Sequence, residues 1–225
     1  MSKIPHSPSA AFRDRVEAGQ HLAKALLKYE RQPQTWVLAL PRGGVPVGAE
    51  IAKALSLPLD VCLVRKLGVP GQAELAMGAI ASHGVQILNH DIIRRMNIAT
   101  EDIQRVATAE AEELQRRDRT YRPNKPPLDI QGQAIILVDD GIATGSTLKA
   151  AISVLRQQQP QRIVVAVPVA PPSTVEELRQ EVDEVVCLAQ PDPLYSISLW
   201  YGHFDQTSDE TVCKLLQQNR NSQLN

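Results

Sequence analysis

Aromatic side chains are scarce in this chain, two Trp, four Tyr and two Phe, and only three cysteines occur, Cys62, Cys187 and Cys213. The cysteines are odd in number, far apart and without a CxxC pair, which excludes a disulfide framework and a cysteine-based zinc site. They read as buried thiols in a reducing cytosol. An excess of either charge is also missing: 24 Lys and Arg against 25 Asp and Glu leave a formal charge of −1. No long-range field therefore recruits nucleic acid or an anionic membrane, and any anion must be held by local groups. No apolar run approaches the roughly 18 residues of a spanning helix, and the opening MSKIPHSPSAAFRDR lacks the apolar segment of a secretion signal. The expectation is a cytoplasmic protein without a membrane partner, folded as a single domain over its 225 residues.

The apolar residues fall in short bursts. TWVLAL (35–40), LPLDVCLV (57–64), AIILV (134–138), RIVVAVPV (162–169) and DEVVCLA (183–189) are strand-like runs without polar alternation. Between them VPVGAEIAKAL (45–55), TLKAAISVLRQ (147–157) and STVEELRQEV (173–182) have helical spacing. Apolar strands separated by single helices predict a mainly parallel sheet covered on both faces, a doubly wound α/β fold, with ligands bound beyond the carboxyl ends of the strands. Residues 10–31 read as an amphipathic helix with Val16, Leu22, Leu26 and Leu27 on one side. ASHGVQILN (81–89) interrupts the alternation as a hairpin turning at His83-Gly84, and Asp91 to Arg122 follows as a helical insert. The insert's expected N-cap is Thr100, and Ile103, Val106, Ala107, Ala111 and Leu114 form its apolar stripe. Glu112–Arg116 and Glu113–Arg117 are its expected ion pairs, and RPNKPP (122–127) ends it. The stripe motivates an expectation of homodimer pairing through this helix, and the polar end NRNSQLN reads as frayed.

The stretch AIILVDDGIATGST (134–147) concentrates the chemistry. A buried strand ends by placing Asp139 beside Asp140, where like charges repel. The turn after them reads as a phosphate cup: Gly141 and Gly145 let the backbone approach closely, Thr144, Ser146 and Thr147 offer hydroxyls, and the unpaired N–H groups of the following helix attract an anion. Two acids cannot bind that same phosphate, but they can accept hydrogen bonds from vicinal hydroxyls. Phosphate below and paired carboxylates above describe the two ends of a ribose 5-phosphate. A Walker A loop would need Gly-Lys-Ser/Thr, whereas the first lysine here is Lys149, and the dinucleotide fingerprint GxGxxG is missing.

IILVDDGIATGST resembles the signature by which type I phosphoribosyltransferases bind 5-phosphoribosyl 1-pyrophosphate: four apolar residues, two acids, then a turn closing in Thr-Gly-x-Thr. The resemblance implies that Asp139 and Asp140 contact the ribose hydroxyls and help organise Mg²⁺, indirectly through water. By the same resemblance Gly141, Ile142, Ala143, Thr144, Gly145, Ser146 and Thr147 hold the 5-phosphate. LPRGGVPVG (40–48) is similar to the family's pyrophosphate loop, with Arg42 as a fork of donors and Gly43 and Gly44 exposing backbone N–H groups; alone it would be a simple turn. VRKLGVPGQAELAMGAI (64–80) opens with Arg65 and Lys66, like the mobile catalytic loop of adenine phosphoribosyltransferases, and its glycines suit a lid. A solvent-facing surface loop is the competing reading.

Tyr195, Trp200, Tyr201 and Phe204 cluster in YSISLWYGHF, either as a stacking surface for a planar group or as the core of a small subdomain. In the family a variable hood near the chain ends recognises the base, which makes Trp200 and Tyr201, in a hood of about residues 190–218 with the N-terminal helix, the candidate acceptor-binding residues. The implied reaction is displacement of pyrophosphate by a ring nitrogen of a nucleobase or related heterocycle. One departure stands out: members acting on 6-oxopurines carry an acid where this chain has Ala143. Adenine-type members also have alanine there and draw their acid from the mobile loop, which makes Glu74 the candidate general base. Two other functions stay open, a protein that senses the sugar diphosphate without turnover, with Arg116, Arg117 and Arg119 as a local basic patch, and a hydrolase using water as acceptor.

Overall fold

The computed structural model describes residues 11–123 and 125–223. The expected start of the first helix at Ala10, the His83 side chain, Asn124 of RPNKPP and the last two residues of NRNSQLN lie outside the described set. In chain order the elements are helix α1 (Arg15–Ala25), strand β1 (Thr35–Ala39), α2 (Gly44–Leu55), β2 (Leu59–Val61), β3 (Val64–Val69), β4 (Gln72–Ala81) and β5 (Gln86–Leu88). There follow α3 (His90–Arg95), α4 (Thr100–Tyr121), β6 (Ala134–Val138), α5 (Ser146–Gln157), β7 (Arg162–Val169), α6 (Pro172–Arg179), β8 (Glu184–Ala189) and α7 (Asp209–Gln223).

Strands β2, β1, β6, β7 and β8 form, in that order, a parallel five-stranded sheet, as the apolar runs predict. Successive side chains point to opposite faces. Val37, Ala39, Ile136, Val138, Val164 and Ala166 meet α1, α2 and α7, whereas Leu38, Ile135, Leu137, Ile163, Val165 and Val167 meet α5 and α6. The sheet is therefore doubly wound. Each buried Val, Leu or Ile contributes on the order of 1.5–3 kcal/mol, and Asp60, a buried acid within the edge strand β2, is held by the Arg122 guanidinium at 3.2 Å.

Helix α1 is shorter than its sequence pattern predicts. The Asp14 carboxylate accepts the Glu17 N–H at 2.9 Å and starts it, and a 3-10 turn over Leu27–Tyr29 follows it. Its buried face is Ala18, Gly19, Leu22, Ala23 and Leu26, while Val16 and Leu27 are exposed. Close approach decides this: a methyl on Gly19 would lie 2.6 Å from the Val47 carbonyl oxygen of α2. LPLDVCLV is likewise not one strand. Val61 is the last residue paired with β1, and after Cys62 and Leu63 the chain enters a second, antiparallel sheet of β3, β4 and β5. Cys62 is buried there, and burial pushes its thiol up to about 12.

The stretch expected as a mobile loop, 64–80, is a β-hairpin turning at Pro70-Gly71, with Gly71 at φ +78°. Its glycines serve strand pairing, since a methyl on Gly78 would lie 2.3 Å from the Ile87 carbonyl oxygen. Leu67, Val69, Met77 and Ile80 pack toward α4, and Val64, Ala79 and Ala81 toward α5, so the hairpin is wedged between two helices. β4 turns into β5 over Ser82–Gly84, where the hairpin was expected.

The helical insert breaks at 96–99, where Asn97 has φ +48°, and Ala99 rather than Thr100 is the N-cap of α4. Its apolar stripe is real but already covered: Ile103 and Leu114 are buried, and Val106, Ala107 and Ala111 pack into the same core against β3 and β4. That removes the motive for pairing through this helix. Arg116 bonds Glu113, not Glu112, and Arg117 also bonds Glu113 at 2.6 Å. The far end of the chain is helical through residue 223 rather than frayed. Asn219 is buried, accepts the Leu59 N–H at 2.9 Å and donates to the Leu57 carbonyl at 3.2 Å, tying α7 to the edge strand β2.

Candidate active site

Strands β1 and β6 are in-register neighbours, with Ala39 opposite Val138, so the turns that follow them emerge side by side. Leu40 N–H extends the ladder to the Val138 carbonyl at 2.9 Å. The next peptide, Pro41–Arg42, is cis. Gly43 and Gly44 then pass directly against the two acids. A methyl on Gly43 would lie 2.0 Å from Asp140 Oδ2, and one on Gly44 would lie 2.7 Å from the Val138 carbonyl oxygen and 3.3 Å from Asp139 Oδ1. Only a residue without Cβ permits this contact, so the glycine pair and the aspartate pair form one unit.

Within that unit the carboxylates are firmly placed. Asp139 Oδ1 accepts the Asp140 N–H at 2.9 Å, and Asp140 Oδ2 accepts Arg15 Nε at 2.7 Å. The Tyr201 hydroxyl donates to the Asp140 carbonyl oxygen at 2.6 Å. Burial, followed by the charge of Asp140, holds the Asp139 carboxyl well above the usual carboxylate range, and the Arg15 guanidinium pulls it the other way. Arg15 also donates from Nη1 to the Asp205 carbonyl at 2.7 Å and lies 3.8 Å from the Phe204 ring centroid. Sequence reading missed it at this site; nothing in RDR marks it, because its partner is 125 positions away.

The turn 141–145 has the shape of an anion cup. Gly145 takes φ +73° and opens α5, whose first N–H groups lack intrahelical carbonyl partners. Gly141 leaves room for Ile197, whose Cγ2 would lie 2.6 Å from an added methyl. Ile142 is anchored by its N–H to the Val169 carbonyl at 2.9 Å, Ala143 and Thr144 are exposed, and the Thr144 and Ser146 hydroxyls are 3.1 Å apart. Thr147 is exposed on the first turn of the helix.

A cavity of about 740 Å³ lies beside these parts, although Asp139, Asp140, Arg42, Gly43 and Gly44 do not themselves line it. Pro41 of the glycine turn and Thr144, Ser146 and Thr147 of the cup line it, and so do Arg65, Lys66 and Glu74 of the hairpin and Glu110 and Arg117 of α4. The cations around it are tied to carboxylates: Arg65 to Glu110, Lys66 to Glu74 at 3.2 Å, and Arg42 to Asp209 at 3.7 Å. Glu74 is exposed beside the hairpin turn, its side chain 85 % accessible, and its partner Lys66 is largely enclosed. Asp209 also accepts from the Tyr121 hydroxyl and from Arg116 at 3.1 Å, and these contacts, that of Tyr121 foremost, hold its carboxyl below the usual range. Glu110, Arg117 and Asp209 were not singled out from the sequence for this site. The available signal for the first two was their place on the same helix face as the apolar stripe.

Trp200 and Tyr201 do not line that cavity. Tyr201 is 5 % exposed, its ring 5.6 Å from Phe12 and stacked 4.8 Å from Phe204, and Trp200 is half-buried against the same cluster. Trp200, Tyr201 and Phe204 thus build, with Phe12, a small core that joins residues 197–204 to the segment before α1, through bonds such as Phe12 N–H to the Trp200 carbonyl at 3.0 Å, whereas Tyr195 of the same sequence cluster is exposed. Of the two readings left open by the sequence, this is the subdomain core, and Tyr201 reaches the site by its hydroxyl and not by a free ring face. Residues 209–218 of the expected hood belong to α7, which packs on α2, α4 and β2.

Among the described residues no helix is long and apolar enough to cross a membrane. The profile of the phosphoribosyl transferase domain matches residues 11–196. The Mycobacterium tuberculosis protein named "Putative phosphoribosyl transferase Rv0571c" is 44% identical over 205 residues, covering 91% of this chain and 46% of the relative, so the chain spans about half the length of the curated relatives it matches. The crystal structure of TT1426 from Thermus thermophilus superposes with a TM-score of 0.83 at 41% identity, covering 92% of this chain and 98% of the other. With the acid pair, the glycine turns and the parallel sheet arranged as described, the chain belongs to the type I phosphoribosyltransferase family.

Proposed function

We propose that the chain transfers the phosphoribosyl group of 5-phosphoribosyl 1-pyrophosphate to a ring nitrogen of a nucleobase or related heterocycle. The observation that carries the reading is the contact of Gly43 and Gly44 with Asp139 and Asp140 at adjacent strand ends, where a methyl on Gly43 would meet Asp140 Oδ2 at 2.0 Å. This contact sets the candidate pyrophosphate loop beside the acid pair, and the candidate phosphate cup, residues 141–147, follows the acids directly in the chain.

In this reading Gly141 to Thr147 hold the 5-phosphate, and Asp139 and Asp140 accept from the ribose hydroxyls. Arg42, the Gly43 N–H group, Arg65 and Lys66 bind the pyrophosphate; the Gly44 N–H, expected from the sequence to be exposed, is instead given to the Leu40 carbonyl at 3.0 Å. The bond from C1 to the pyrophosphate oxygen breaks with its electron pair leaving on the pyrophosphate, and the ring nitrogen closes the new bond to C1. Positive charge developing on the sugar is favoured by the adjacent carboxylates, and negative charge on the leaving group by the cations. The acceptor proton passes to a carboxylate; Ala143 cannot take it, and Glu74 at the cavity is the candidate.

A divalent cation such as Mg²⁺ fits this donor set in part. One oxygen each of Asp139 and Asp140 is engaged, by the Asp140 N–H and by Arg15, and among the described residues no group of three or more His, Cys, Asp or Glu is placed to hold a metal. Mg²⁺ would be held chiefly by ligand oxygens and water, with Asp139 and Asp140 contacting it through water, and when bound it would neutralise charge on the leaving pyrophosphate.

A thermal-shift screen of nucleobases and small nitrogen heterocycles, with Mg²⁺ and the sugar diphosphate present, selects the acceptor, which raises the melting point beyond the sugar ligand alone. Pyrophosphate release then depends on that acceptor, and Asp139→Asn with Asp140→Asn lowers it by at least about 10³-fold. Release with water alone would make the protein a hydrolase, and binding without release would make it a sensor.

A further inference from the structure

The helical insert brings more charge to the cleft than packing requires. Its cavity-lining residues Val106, Glu110, Leu114 and Arg117 recur at the spacing of a single helix face, and two of the four are charged. Arg117 is well enclosed, with its side chain 20 % exposed against 51 % for its neighbour Arg116. Glu113 accepts its Nε at 2.6 Å and so holds the guanidinium by its stem side. Among the described residues no hydrogen bond engages the two terminal nitrogens, the edge of the fork left for the cavity that Arg117 lines. Bound by Arg116 and Arg117, the Glu113 carboxyl is pulled down to about 2, so it remains an ionised holder at any working pH. The end of α4 also sits beside the glycine turn. Asp209 joins them, accepting from Arg116 at 3.1 Å and lying 3.7 Å from Arg42.

We infer that Arg117 is a further binding residue for the pyrophosphate end of the sugar diphosphate, its terminal nitrogens donating to phosphate oxygens from the insert side of the cleft while Glu113 fixes the guanidinium. The inference rests on the phosphoribosyl reading above. A planar fork presenting two parallel donors matches phosphate oxygens better than a point charge does, and a guanidinium keeps its charge throughout. Arg117 thereby gives the insert a binding role that its covered apolar stripe does not explain.

The test is calorimetric titration of the full chain, with Mg²⁺, against 5-phosphoribosyl 1-pyrophosphate, inorganic pyrophosphate and ribose 5-phosphate. Arg117→Ala is expected to weaken the first two by about ten- to a hundredfold, the size of a charge-assisted contact, and to leave ribose 5-phosphate within about twofold. Arg117→Lys, which keeps charge without the fork, should recover part of the loss. Arg119→Ala, an exposed cation on the same helix, should leave all three unchanged. Equal weakening of all three ligands by Arg117→Ala, or no weakening of pyrophosphate, would overturn the inference and leave Arg117 as structural support. If Arg117→Ala does not fold, the contrast between pyrophosphate and ribose 5-phosphate in Arg117→Lys decides in the same way. A wild-type chain that binds none of the three would overturn the phosphoribosyl reading itself.

Discussion

Asp139 and Asp140 repel each other at the end of a strand, and the cost is contained by fixed partners of the two carboxylates: the Asp140 N–H and the Arg15 guanidinium. The Arg15 charge joins the Asp140 N–H, the larger of the two, in opposing the burial that raises the Asp139 carboxyl. If transfer requires the ionised pair, activity is lost as the pH falls through the raised value. Arg15→Ala should move that acid limb to higher pH and lower the rate at neutral pH about tenfold or more. A pH–rate profile of pyrophosphate release checks this, and a lowered rate with an unmoved acid limb would reduce Arg15 to a packing role. The acids themselves were legible from a strand running into Asp-Asp and a Gly/Thr turn, because that chemistry is local. Arg15 was not, since only the small aromatic core brings Phe12 and Phe204 together and carries Arg15 with them to Asp140.

At the scale of elements, α4 and the β3–β4 hairpin depart most from expectation. Gly68, Gly71 and Gly78 resemble loop glycines, yet Gly78 is required by the neighbouring strand and Gly71 by the turn, so a composition that suggests mobility encodes a hairpin. In α4 the face was legible, but its partner was not. Glu113 couples the end of this helix to two arginines, and its carboxyl is pulled down to about 2. Its contribution to stability is complete above the ordinary carboxylate range and is lost as the pH falls through about 2. Because the side chain remains 31% exposed, solvent screening limits that contribution to about 1 kcal/mol or less. Glu113→Gln should therefore lower the urea midpoint at pH ~7 and approach the wild-type midpoint near pH ~2; an equal difference at both would show that the pair is not the source.

For the whole molecule, the absence of a three-residue metal cluster among the described residues makes a separable prediction. A chelator should leave the melting temperature of the ligand-free chain unchanged and shrink the rise produced by the sugar diphosphate, as thermal-shift measurements can show. A fall in the ligand-free chain would point to a structural metal instead. The sequence by itself determined the doubly wound sheet, because unbroken apolar strands and one-sided helices have few other ways to bury their faces. It also marked the acid pair and the Gly/Thr turn after it as the candidate site, because those residues are adjacent in the chain. Tertiary structure alone decided that β1 lies beside β6, that Gly43 and Arg15 meet Asp140, and that Glu110 and Arg117 reach the cleft. Strand order and helix docking depend on contacts between distant segments, and such contacts leave no periodic trace in either segment.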